Sequence, residues 1–145
     1  MDDFFDRFPF VMRHALKEEK ICFPSDAEKE FDDIMVYRGI RLVEGKKEHI
    51  DKSDFLSQVE RKLPGIDEND IYEYSCSCFE NIEELKLSYK IPRKNKAIAK
   101  GRLKSVKGCI IRDCKNTHIN WFLYEGADPS EDFEVWENEK MDKVK

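Results

Sequence analysis

A single α+β domain, with helices preceding and interleaved with a mainly antiparallel sheet, is the fold class this sequence predicts. Three observations carry that expectation. The chain has 145 residues, close to the size of one domain and long enough to bury about two-thirds of its unfolded surface. Its 40% apolar fraction includes ten Phe, five Tyr and two Trp, which can fill one core. Helical patterns with isolated strands come first and a run of short strands follows, an order that differs from strict β–α alternation.

The elements read in order as follows. Pro9 opens a helix carrying Phe10, Met12 and Leu16 to about Lys20. Ser25-x-x-Glu28 is a capping-box pattern and predicts a short helix to Phe31. Residues 34–40 are β-rich and form the first strand. A polar loop follows over 45–49, and then Asp51 or Ser53 caps a helix bearing Phe55, Leu56, Val59 and Leu63. Residues 71–79 read as a second strand, Asn81-x-x-Glu84 as the cap of a helix to Tyr89, and Pro92 as its stop. The remaining strands are 96–106, 109–112, 117–124 and 133–136. In the strand 117–124, His118, Asn120, Phe122 and Tyr124 share one face, opposite Ile119, Trp121 and Leu123. Residues 1–145 form one domain, with a frayed tail from 137.

Charge and cysteine content narrow the function classes. A net charge of −5 gives no general attraction to nucleic acid or anionic lipid. The first residues, Met1-Asp2-Asp3-Phe4-Phe5-Asp6, are acidic where a secretion signal would be basic, and no stretch resembles a membrane span. The expectation is a cytoplasmic protein without membrane contact. Its five cysteines, an odd number, then read as free thiols. Eleven Lys or Arg and one acid lie between Lys86 and Lys115, while both ends of the chain are acidic. Lys96, Lys100, Arg102 and Lys104 share a strand parity and read as a lysine-blunted edge strand, or as a surface for an acidic partner.

Metal and thiol chemistry find little support in the spacing. Cys76-x-Cys78 on a strand separates its Cα atoms by about 6.5–7 Å, too far for joint ligation without a bend. Cys109, Cys114 and His118 add further ligand types, but no pair has the C-x2-C form of a structural zinc site. No zinc is therefore expected, and no cysteine has a recognisable nucleophile setting.

One ordered set of residues points to anion chemistry. Tyr37-Arg38-Gly39 lies in the first strand, and Ser75-Cys76-Ser77 in the second, leading into a helix. His118 and Glu125 lie near the ends of a later strand. Arg38 shares the strand face of Ile40, a sheltered face on which a guanidinium needs a partner, and its planar fork suits a pyrophosphate. This order resembles the ADP-ribosyltransferase-like folds, in which a strand Y-R-G is followed by S-T-S and later by a catalytic glutamate. Here Cys76 stands where Thr is usual, and the family's paired glutamate motif is absent in its usual form. The resemblance implies a cleft that binds or processes NAD or a related nucleotide. Tyr37, Arg38, Ser75 and Ser77 would hold the cofactor, and His118 and Glu125 would serve catalysis. Toxins and phage-borne effectors of this fold are of similar size. A second reading stays open: a non-catalytic inhibitor or adaptor that docks a protein partner through separated acidic and basic surfaces.

Overall fold

The structure is a computed structural model that describes residues 3–41, 50–62, 64–90 and 96–136. It is a single-domain α+β fold whose two α-helices lie against one antiparallel sheet of six strands. The strands are β1 (Ile34–Arg41), β2 (Cys76–Phe79), β3 (Lys96–Leu103), β4 (Gly108–Arg112), β5 (His118–Leu123) and β6 (Phe133–Trp136). Their spatial order is β4-β5-β2-β1-β3-β6. The helices are α1 (Phe10–Lys17) and α2 (Ile82–Tyr89). None of the helices among the described residues is long and apolar enough to cross a membrane.

The sheet is held by unequal ladders. β1 and β3 pair over eight register positions, from Ile34–Leu103 to Arg41–Lys96. β1 and β2 share only one, Tyr37–Phe79. One face of the sheet packs Val36, Ile40, Ala99, Trp121 and Phe133 around Phe55. On the other, Tyr37, Phe79 and Ile98 pack under α2, while Phe122 and Ile111 pack with Phe8, Met12 and Leu16 of the N-terminal segment.

Three expected elements differ, two through tertiary hydrogen bonds and one through a local cap. The helix expected from Ser25 does not form. Glu28 instead exchanges both backbone bonds with Ile110, at 2.8 and 3.0 Å, so the segment covers part of the exposed edge of β4. The helix expected after Asp51 is a single 3-10 turn, Lys52–Phe55, closed by a reciprocal Asp51–Asp54 capping box. Its carbonyls at Asp54 and Phe55 accept from Arg38 and Cys76 of the sheet, so they are withdrawn from any helical ladder. The strand expected over 71–79 begins only at Cys76, because Asp70 caps a 3-10 turn at Ile71–Tyr74. The polar loop at 45–49, Leu63, Pro92 and the tail from 137 lie outside the described residues.

The basic strand is not an edge. β3 lies between β1 and β6. Lys104 pairs with Asp132 at 2.9 Å, and Lys107 with Glu131 at 2.6 Å and Asp132 at 2.5 Å. Burial opposes the charge on Lys107, but the hydrogen bonds it donates to Asp132 and Glu131 prevail and raise its pKa. Lys100 lies over the Tyr37 ring, and Arg102 is exposed. The acidic segment that follows β5 thus neutralises part of the basic one.

α2 begins as the sequence predicts. The Asn81 side chain accepts from the Glu83 and Glu84 amides, at 2.8 and 3.1 Å. Its last residue, Tyr89, lies directly on Gly39, where any Cβ would run into the Tyr89 ring. Glycine at this position therefore sets how closely the helix approaches β1. We predict that Gly39→Ala lowers stability by about 1–3 kcal/mol, the usual scale of overpacking. A urea titration should show a lower midpoint with an unchanged slope, and a midpoint equal to that of the native chain would contradict this packing.

Candidate functional site

The single β1–β2 register pair leaves a split, and Arg38 occupies it. Its side chain leaves β1 on the sheltered face and is only 8% exposed. Nε donates to the Asp54 carbonyl at 2.9 Å, and Nη1 donates to the Ser77 carbonyl of β2 at 2.8 Å. The guanidinium lies 5.8 Å from the centre of the Phe55 ring. No carboxylate pairs with it among the described residues. Two backbone dipoles and a ring face solvate the cation, but its full charge remains uncompensated.

A cleft of about 420 Å³ opens beside Arg38. Its walls come from the loop after Phe55 (Leu56, Gln58, Arg61), the turn before β2 (Tyr72, Glu73), and α2 (Leu85, Ser88, Tyr89). The sheet supplies Gly39, Ser77, Phe79, His118 and Asn120. Four of the six residues singled out from the sequence, Arg38, Ser75, Ser77 and His118, line this one cleft.

Each has a defined local role. The Ser75 hydroxyl lies 2.8 Å from the Tyr72 carbonyl and 3.2 Å from Asn120 Oδ1, so it closes the turn and orients Asn120. The Ser77 side chain is exposed in the cleft, while its carbonyl holds Arg38. His118 sits opposite Phe79 in the β2–β5 ladder, with ring centres 4.9 Å apart. Burial pulls the His118 pKa below its ordinary value, and Asp113 opposes this with a smaller upward effect.

Two of the six lie elsewhere. Tyr37 neighbours Arg38 in the strand and so projects to the other face, where it meets Trp136 at 5.6 Å and packs under α2. Glu125 follows β5 and pairs with Arg13 of α1 at 3.2 Å, outside the cleft. The carboxylate that does line the cleft is Glu73, and the second cation is Arg61. Sequence reasoning assigned neither, since both come from turns with no pattern of their own. Asn120 was legible in principle, because it shares the β5 face of His118.

The cysteines stand apart from this chemistry. Cys76 and Cys78 face the apolar core, and burial pushes their thiols up to about 11 and about 12. Cys109 is buried with Phe122 and is pushed up to about 12. Cys22 and Cys114 are exposed. Among the described residues no group of three His, Cys, Asp or Glu side chains is placed to hold a metal ion.

Comparison with protein-family models, with curated proteins and with solved structures finds no match to this chain.

The lowered His118 pKa has a defined linkage. The folded chain binds a proton at His118 less readily than the unfolded chain, so this residue contributes stability above the ordinary histidine value of 6.5. That contribution is lost as pH falls through the folded pKa. An NMR titration should give a His118 midpoint below 6.5, moved lower still by Asp113→Asn, which removes the opposing attraction. A midpoint at or above 6.5 would contradict the burial seen here.

Proposed function

We propose that the cleft beside Arg38 binds NAD or a related nucleotide, with the pyrophosphate on the Arg38 guanidinium, as the resemblance to ADP-ribosyltransferase-like folds implies. One observation carries this reading: Arg38 is 8% exposed, has only carbonyl acceptors among the described residues, and borders a cleft of about 420 Å³. A buried cation without a counter-ion costs several kcal/mol, and an entering anion offsets that cost. A planar fork favours phosphate oxygens over a spherical anion.

The surroundings suit the same ligand. Arg61 adds a second cation, and the Ser77 hydroxyl is exposed to donate. Neutral His118 with Phe79 offers a ring surface. Glu73 offers a carboxylate to ribose hydroxyls. The reading is one of binding. A transfer step at this cleft would draw its carboxylate from Glu73, because Glu125 is engaged by Arg13. The alternative, a docking module with separated charged surfaces, is weakened by the pairing of Lys104 and Lys107 with Asp132.

Isothermal calorimetry with NAD, ADP-ribose and ADP tests the proposal. The native chain should bind at least one of them. Arg38→Ala should weaken binding by about tenfold or more, the scale of lost hydrogen bonds to a charged group. Arg61→Ala, at the rim, should weaken it less and retain the fold. Absence of binding by the native chain, or equal binding by a folded Arg38→Ala variant, would overturn the proposal.

A further inference from the structure

The cleft continues past His118. A second cavity of about 530 Å³ shares Ser77, Phe79, Ser88 and His118 with the first. It runs on between α2 and the β4–β5 loop, where Glu84, Leu87, Asp113 and Asn116 line it. The two cavities form one groove, and the charge along it reverses. Arg38 and Arg61 stand with Glu73 at one end, Glu84 and Asp113 at the other, and among the described residues no Lys or Arg lines the second cavity. A second phosphate would be repelled there, whereas a neutral group rich in hydrogen-bond donors would be accepted.

The polar groups at the acidic end are fixed in place. Glu84 Oε1 accepts from the Thr117 amide and hydroxyl, at 2.8 and 2.7 Å. Asp113 Oδ1 accepts from the Lys115 amide at 2.9 Å, which leaves the other carboxylate oxygen as an acceptor. Asn116 Oδ1 accepts from the His118 amide at 2.9 Å, which leaves its amide nitrogen as a donor. An acceptor and a donor thus stand beside the His118 ring. That pairing matches the edge of an aminated purine, which presents an exocyclic amino donor next to a ring-nitrogen acceptor.

We infer that the second cavity is a base site for an aminated purine such as adenine, stacked on His118, with its amino group donating to Asp113 and a ring nitrogen accepting from Asn116. This rests on the reading that phosphates bind at Arg38, and it fixes the direction of the ligand along the groove. Aromatic side chains stack on any base, so discrimination falls to the polar pair. The groove should favour adenine over hypoxanthine, which carries a carbonyl in place of the amino group.

The test is calorimetry with ADP, IDP and inorganic pyrophosphate, on the native chain and on Asp113→Ala. The native chain should bind ADP about tenfold more tightly than IDP, the size of one good base contact. Asp113→Ala should bring the two nucleotides to within about twofold of each other, while pyrophosphate binds no more weakly than to the native chain. Equal affinity of the native chain for ADP and IDP, or a preference that survives Asp113→Ala, would overturn the base site and leave the phosphate site standing. Failure of pyrophosphate and both nucleotides to bind would overturn both.

Discussion

Arg38 holds together a sheet that would otherwise part in the middle. β1 and β2 are neighbours, yet they pair at only one register position. Where further ladder bonds would lie, the guanidinium donates to the Ser77 carbonyl of β2 and to the Asp54 carbonyl of the 3-10 turn. One side chain therefore ties three segments, β1, β2 and the turn at Lys52–Phe55, around a common point. The Cys76 thiol adds a second tie by donating to the Phe55 carbonyl. With the turn pinned, Phe55 fills the core against Trp121 and Phe133, and the chain after it can form a wall of the cleft. The split costs ladder bonds, and it creates the place where a cation can be both buried and reachable.

The rest of the site follows from that split and from α2. Gly39, on the strand face opposite Arg38, lets Tyr89 lie close, so the helix roofs the gap. β5 then contributes His118 and Asn120 from one face, set by period-two alternation and by the pairing of Ser77 with Asn120. Ser75 orients Asn120 from the end of the preceding turn. The charge polarity of the groove has the same topological origin. Its cations come from β1 and the loop after Phe55, and its acids come from α2, the β4–β5 loop and, as Glu73, the turn before β2. Elsewhere the charge pairs internally, as Lys104 and Lys107 do with Asp132, which is nearly buried. Arg38, buried in the split, has no such partner among the described residues.

The sequence disclosed those parts whose signal is local. The Asn81 cap, the alternation in β5 and the β-rich run of β1 fix their elements within a residue or two, because each depends on near neighbours. Ser25-x-x-Glu28 and Asp51–Leu63 failed for the converse reason: the backbone groups involved are claimed by residues distant in sequence, Ile110 in one case and Arg38 and Cys76 in the other. The edge reading of β3 failed because strand order is a property of the whole sheet. In the site, strand parity was enough to put Arg38 on a sheltered face. The same parity places Tyr37 on the opposite face, where it packs against Trp136 under α2 instead of lining the cleft. Glu125 was beyond reach of such reasoning, since its partner Arg13 lies 112 residues away.

The account turns on Arg38 being held by carbonyls yet open to an anion. Nitrogen-15 NMR of the guanidinium groups examines this directly. In the free chain the Arg38 Nε–H should exchange slowly with water, because it donates to the Asp54 carbonyl at 2.9 Å, while exposed Arg102 exchanges fast. Addition of inorganic pyrophosphate should shift the Arg38 guanidinium signals along a saturating curve and leave those of Arg102 in place. A fast-exchanging Arg38 Nε–H, or Arg38 signals that pyrophosphate does not move, would contradict the account.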